Sequence, residues 1–290
     1  MLAYDALLAL RKEYRRSAWD ERDAILYALG IGMCSGGLDS RELHFVYERE
    51  LNVMPSFVTV LAMGMMPTAT DFDCDPVQLL HVGQQLTLHC RIPVTGTALG
   101  TSRITGAVDK KEKGALIFVE TVLFDEAQGA PLATLTATML ALDGGGIGGP
   151  SQDTASVAPH LPDRAPDLTL PMATRSDQAL LYRLSGDCNP LHVDPAEARR
   201  VGFERPILHG LCTYGISCRA VLTGFADYRA ERLIEHRMRF SAPVYPGETI
   251  TMDLWREGDT VAFVGHIEER RVTVIRDGVS RLAPLTASAL

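Results

Sequence analysis

The stretch QALLYRLSGD, Gln178 to Asp187, has a counterpart earlier in the chain in DAILYALGIG, Asp23 to Gly32. Ala24-Ile25-Leu26-Tyr27 matches Ala179-Leu180-Leu181-Tyr182, and Leu29 matches Leu184. A second pair follows in the same order. MPSFVTVLAMG (Met54 to Gly64) parallels RPILHGLCTYG (Arg205 to Gly215), each a proline followed by an apolar helical stretch ending at glycine. Runs with strand character come after each: LTLHCRIPV, ALGTSRITGAVD, ALIFVETVLFD and ATLTATMLALD in the first half, HRMRFSAPVY, ETITMDLWRE, TVAFVGHIEE and RVTVIRDG in the second. Hairpin turns are expected at Asp109 to Gly114 and at Glu257-Gly258-Asp259. Three landmarks repeated in order imply an internal duplication. An apolar helix and a curled antiparallel sheet bury each other when the sheet wraps the helix, which is an α+β solution. Two such sheets paired edge to edge protect strands otherwise left open.

Between the copies, from Asp143, the chain reads DGGGIGGPSQDTASVAPHLPDRAP, where glycine, proline and small polar residues replace any periodic apolar pattern. The expected organisation is a first domain over residues 1–142, a linker over 143–166 and a second domain over 167–290.

Composition narrows the function. The chain has 290 residues, 46% of them hydrophobic, enough for folded cores. Its formal charge of -8 leaves no cationic surplus for a phosphate backbone, so no nucleic-acid partner is expected. The opening MLAYDALLALRKEYRR places an apolar patch before the positive charges, the reverse of a secretory signal, and no apolar run is long enough to span a bilayer. The expectation is a cytoplasmic protein without a membrane partner. The terminal Ser288-Ala289-Leu290 is similar to the peroxisomal address S-K-L but lacks its basic residue, which leaves a peroxisomal location open. The six cysteines are scattered, with no C-x-x-C pair and no Cys/His cluster at metal-ligand spacing, so reduced thiols and no metal are expected.

The chemistry is expected where the second copy of the repeat ends, in GDCNPLHVD, Gly186 to Asp194. Ser176 is a candidate cap for the preceding helix and Gly186 its stop. Asp194-Pro195-Ala196-Glu197 reads as the start of the next helix, with Asp194 as cap and Glu197 at the capping-box site. Asp187 and His192 then share a short loop stiffened by Pro190. A carboxylate beside an imidazole is an acid/base pair able to activate water near neutral pH, and the Asn189 amide is a further candidate to orient it. The competing reading is a plain turn, since Asp and Asn bond nearby backbone. Carrying the repeat forward sets Gly32 opposite Asp187, Cys34 opposite Asn189 and Gly37 opposite His192. Loss of every polar member in one copy favours one catalytic half and one scaffold half.

YRLSGDCNPLH, Tyr182 to His192, resembles the signature of the (R)-specific enoyl-CoA hydratases, called hydratase 2, among the MaoC-like dehydratases. PILHGLCTYG and FSAPVYPGE agree with that family, and the likeness extends over essentially the whole chain. The resemblance implies a tandem (double) hot-dog fold, two antiparallel sheets each wrapped around a central helix, with a degenerate first half. It implies reversible hydration of trans-2-enoyl-CoA to (3R)-3-hydroxyacyl-CoA without metal or redox cofactor, in acyl-CoA metabolism such as β-oxidation, and a homodimer. Asp187 and His192 would hold the water, and the backbone N–H of Gly210 would serve as oxyanion hole. A helix N-terminus suits that part, because its amides are free and its dipole end is positive.

Other residues carry smaller expectations. His209, next to the proposed oxyanion hole but without a named acid partner, reads as a packed core histidine with a catalytic role as the lesser alternative, Cys188 as an inert thiol, and Lys110-Lys111-Glu112-Lys113 as a solvated turn. Arg237 and Arg239 are weak candidates for contact with CoA. The glycines Gly32 and Gly37 suggest that the first half accommodates the acyl chain. Two alternatives stand beside hydration: a hot-dog acyl-CoA thioesterase, and a non-catalytic acyl-CoA-binding subunit.

Overall fold

The first half of the chain supplies α1 (Tyr4–Ala9), β1 (Arg11–Trp19), α2 (Glu21–Gly30), α3 (Ser40–Leu43), α4 (Val58–Met63), β2 (Leu79–Leu88), β3 (Gly96–Asp109), β4 (Ala115–Asp125) and β5 (Pro131–Ala141). The second supplies β6 (Leu168–Ala173), α5 (Gln178–Tyr182), α6 (Pro195–Arg200), α7 (Gly210–Phe225), β7 (Leu233–Phe240), β8 (Thr249–Glu257), β9 (Thr260–Ile267) and β10 (Val272–Leu282). These come from a computed structural model, which describes residues 2–151 and 161–284. The middle of the expected linker and Ser288-Ala289-Leu290 lie outside the described residues.

The ten strands of the described residues join one antiparallel sheet in the order β1-β3-β4-β5-β2-β7-β10-β9-β8-β6. The edge-to-edge pairing expected of two copies is made by β2 and β7, with Gly83 opposite Arg239, Gln85 opposite Arg237 and Thr87 opposite Glu235. The two sheets expected are therefore halves of one sheet, because the seam is a continuous ladder. The outer edges are guarded by sequence. Strand β1, RKEYRRSAW, is largely exposed and cationic, and β6 carries Pro171, which has no N–H to offer a further strand.

The helices fill the inner face. In α7 every residue from Leu211 to Cys218 is buried, and the helix packs against β6, β7 and β8. One apolar cluster runs from Trp19 through Tyr27, Phe57, Tyr182 and Tyr214 to Leu282, so the halves share a core. The repeat mates Tyr27 and Tyr182 meet inside it with ring centroids 6.0 Å apart.

Several expectations are corrected. Strands β1 and β6 are not among the expected strands: β1 is exposed along most of its length without alternation, and β6 alternates but is only six residues long. LTLHCRIPV is a strand only as far as Leu88. The repeated apolar helices are unequal: the first ends at Gly64 after Val58–Met63, whereas α7 continues past Gly215 to Phe225. Gly215 is not a stop but a crossing point. A Cβ there would lie 2.5 Å from Ile31 Cγ2 and 2.8 Å from the Tyr27 hydroxyl. Ser176 does not cap α5; Asp177 holds that position without a side-chain bond. Glu197 does not close a capping box, because its carboxylate pairs with Arg200 at 2.5 Å.

Candidate active site

Helix α5 tightens into a 3-10 turn, Arg183–Ser185, and stops at Gly186, whose φ of 125° is open only to glycine without strain. The loop that follows is built by its own side chains. Asp187 Oδ1 accepts the Asn189 amide at 3.1 Å, and Asn189 Oδ1 accepts the Leu191 amide at 3.0 Å. Asn189 thereby caps the 3-10 turn Pro190–His192, and Asp194 caps α6 by accepting from Ala196 N and Glu197 N. Asn189 is exposed, and its carbonyl is engaged in the turn. Its side chain shapes the turn, and the bond to the Asp187 carboxylate comes from its backbone N–H, not from the side-chain amide expected to do the orienting.

That frame brings Asp187 and His192 together. Asp187 Oδ2 lies 4.0 Å from His192 Nε2, with the imidazole buried and the carboxylate partly open to solvent. His192 Nδ1 lies 2.8 Å from the Ile207 carbonyl, which only accepts, so Nδ1 carries the hydrogen. Burial lowers the pKa of this imidazole below its ordinary value, against the opposing pull of the Ile207 carbonyl and the Asp187 charge. A neutral ring with hydrogen on Nδ1 presents a bare Nε2 towards Asp187. Two hydrogen bonds of about 2.8 Å from one water span roughly 4.5 Å, so the gap fits a bridging water.

Gly210 begins α7, directly after His209 at the cap position. The first helical bond recorded there is Thr213 N to His209 O, so the Gly210, Leu211 and Cys212 amides have no partner within the helix. A Cβ on Gly210 would meet the Phe240 ring at 3.6 Å, an ordinary contact. The backbone does not demand glycine here; glycine keeps the space beside Phe240 open.

The structure adds two residues that sequence reasoning undervalued. His209 is fully buried, stacked on His192 with ring centroids 3.8 Å apart, and its Nε2 donates to the Asp187 carbonyl at 3.1 Å. Burial and then the neighbouring His192 push its pKa down to about 4. Its place beside Gly210 in Leu208-His209-Gly210 was the available signal. His81, from β2 of the first half, packs edge-on against Phe240 at 5.4 Å, near enough to feel the Asp187 charge. A register shift between His81 and Gly83 re-aims this residue. No pattern in one sequence announces that.

Asp187, His192 and His209 present potential ligand atoms within 4.8 Å of one another. As a metal site the set is poor. His192 Nδ1 and His209 Nε2 are occupied by carbonyls, and the free nitrogens belong to stacked rings inclined by only 29°. Zinc requires nitrogen ligands converging at ~2.0 Å, and stacked rings 3.8 Å apart do not favour that convergence.

The remaining candidates lie apart. Arg237 and Arg239 alternate along β7 with the buried His236 and Met238 and point to the other face of the sheet; Arg239 is 3.7 Å from Asp277. Cys188 is exposed and its thiol meets the Arg183 carbonyl at 3.8 Å. All six cysteines are free. The Lys110–Lys113 run forms the turn between β3 and β4. Among the described residues no helix is long and apolar enough to cross a membrane.

The corresponding corner of the first half is different. Positive φ falls on Gly32 there and on Gly186 in the second half; the residue after Gly32 is the buried Met33, and the residue after Gly186 is Asp187. Glu42 accepts from Cys34 N at 2.5 Å and pairs with Arg219 of α7 at 2.7 Å, both side chains nearly enclosed. The Arg219 guanidinium lies 3.1 Å from where a Gly32 Cβ would be.

Residues 157–277 match the family model of the MaoC like domain, and residues 17–142 match that of the MFE-2 hydratase 2 N-terminal domain. The chain is 36% identical to "Enoyl-CoA hydratase 2, peroxisomal" of Arabidopsis thaliana, over 93% of each chain. It is 36% identical to "3-hydroxyacyl-thioester dehydratase Y" of Mycobacterium tuberculosis, over 82% of each. Among solved structures, a MaoC-like dehydratase from Phytophthora capsici superposes with a TM-score of 0.86 at 30% identity, covering 97% of this chain and 99% of that one. With both domain models matched in order and relatives aligned along most of its length, the chain belongs to the MaoC-like dehydratases, in their two-domain hydratase 2 form.

Proposed function

We propose that this protein hydrates trans-2-enoyl-CoA reversibly to (3R)-3-hydroxyacyl-CoA at the corner formed by Asp187, His192 and the N-terminus of α7. The observation that carries the reading is the 4.0 Å gap between Asp187 Oδ2 and a bare His192 Nε2. Water in that gap donates one hydrogen to each. Its oxygen attacks C3 while His192 Nε2 takes one proton, and the C2=C3 electron pair moves towards the thioester oxygen. The Gly210 N–H receives that developing negative charge, a contribution typically on the order of 3 kcal/mol. As the enolate collapses, the proton passes to C2 on the face from which the water came. One O–H bond breaks, and C3–O and C2–H bonds form. The addition is redox-neutral and needs no metal or redox cofactor.

The names of the relatives support the substrate class, and the Arabidopsis thaliana relative is named as peroxisomal. The proposal extends to a place in β-oxidation, in the cytoplasm or in peroxisomes, and to a homodimer. The test is incubation with crotonyl-CoA and longer 2-enoyl-CoAs while following loss of the conjugated-enoyl absorbance, with chiral analysis of the product. Formation of the (3R) alcohol is expected. Unchanged absorbance refutes the reading, and release of free CoA thiol replaces it with a thioesterase.

A further inference from the structure

His209 touches every part of the proposed machinery. Its Nε2 donates to the backbone carbonyl of Asp187, its ring lies against His192, and its own peptide bond carries the Gly210 amide. The tautomer follows from the partner: a carbonyl accepts only, so Nε2 holds the hydrogen and Nδ1 is bare. That Nδ1 is buried and has no partner among the described residues. The Tyr182 ring also packs on it, with centroids 4.9 Å apart. A side chain serving only to fill the core would be apolar, since a buried acceptor left unpaired is a standing cost. The one hydrogen bond this ring makes joins two elements 22 residues apart: the loop carrying the carboxylate and the helix carrying the amide.

We infer that His209 is a positioning residue that holds the Asp187 loop, the His192 ring and the Gly210 amide in one register, so that water and thioester oxygen are engaged together. This rests on the hydration reading above. Catalytic groups displaced by about 1 Å lose on the order of 100-fold in rate, and His209 is the tie that prevents that displacement. Its effect is expected on kcat, because its hydrogen bond and ring contacts go to the Asp187 loop, His192 and Tyr182.

Two substitutions separate the hydrogen bond from the stack. His209→Phe keeps the ring and volume but has no donor; His209→Gln gives up the ring but places an amide N–H near the Nε2 position. With crotonyl-CoA, His209→Phe is expected to lower kcat by roughly 10- to 100-fold with KM within about twofold, and His209→Gln to recover most of the loss. Wild-type kcat in His209→Phe, or equal losses in both variants, overturns the inference. If His209→Phe does not fold, His209→Gln decides: kcat within about fivefold of wild type supports positioning through the hydrogen bond, and a larger loss overturns it. Hydration by the wild type in the same assay keeps these outcomes distinct from failure of the hydration reading itself.

Discussion

Both halves of the chain turn a corner after a helix containing the repeated apolar-Tyr motif, and they use the enclosed space in opposite ways. In the second half the corner holds Asp187 and His192 around a gap suited to water. In the first half the same region holds Met33, glycines and the Glu42–Arg219 ion pair. Because Arg219 belongs to α7, the pair fastens the first-half corner to the helix that begins at Gly210. On the proposed function, the second copy carries the polar site and the first contributes packing.

The largest effect should come from breaking the open corner. His192→Ala should lower kcat/KM for crotonyl-CoA by about 1,000-fold, within the usual span for loss of a general base, with thermal unfolding nearly unchanged. Breaking the filled corner should do the reverse. Glu42→Gln leaves Arg219 enclosed without its counter-charge and should cost about 3–5 kcal/mol in urea unfolding, whereas Glu42→Gln with Arg219→Met should cost much less. Hydration per folded molecule should be little altered in both.

Acid should act on the second half through its neutral histidines. Burial holds the pKa of His209 at about 4 and that of His236 at about 3, below the ordinary value. The unfolded chain therefore binds these protons first. Stability is full above about pH 6.5 and falls as pH drops towards 4, by on the order of 1 kcal/mol per pH unit for each histidine. Urea midpoints measured from pH 8 to 4.5 check this, and a midpoint that rises on acidification contradicts it. Because the pKa of His192 is lowered too, activity should stay level through neutrality and decline only below about pH 6.5.

The smallest effect sharpens the role of Gly210. Gly210→Ala adds a methyl group that meets Phe240 without overlap. Stability should hold or rise by up to ~1 kcal/mol, while kcat/KM falls about tenfold as the methyl crowds the thioester.

Much of this contrast was legible in the sequence. The repeat gave the tandem fold, and GDCNPLHVD gave Asp187 and His192, because turn geometry is local and declares itself in Gly186, Pro190 and Asp194. The inequality of the two apolar helices was not legible, since Gly64 and Gly215 look alike until α7 is seen crossing Ile31 and Tyr27. His81 meets Phe240 beside Gly210 through the β2–β7 seam and a register shift, which are long-range facts. Glu42 and Arg219 are 177 residues apart, and neither is unusual by itself.

The central claim is that hydration depends on the Asp187 carboxylate at the open corner. Asp187→Asn tests it most directly, because the amide keeps the size of the side chain and can still accept the Asn189 N–H that shapes the loop. With crotonyl-CoA, the account predicts a loss in kcat of at least about 100-fold, with an unchanged melting temperature. Hydration by Asp187→Asn at the wild-type rate would contradict it.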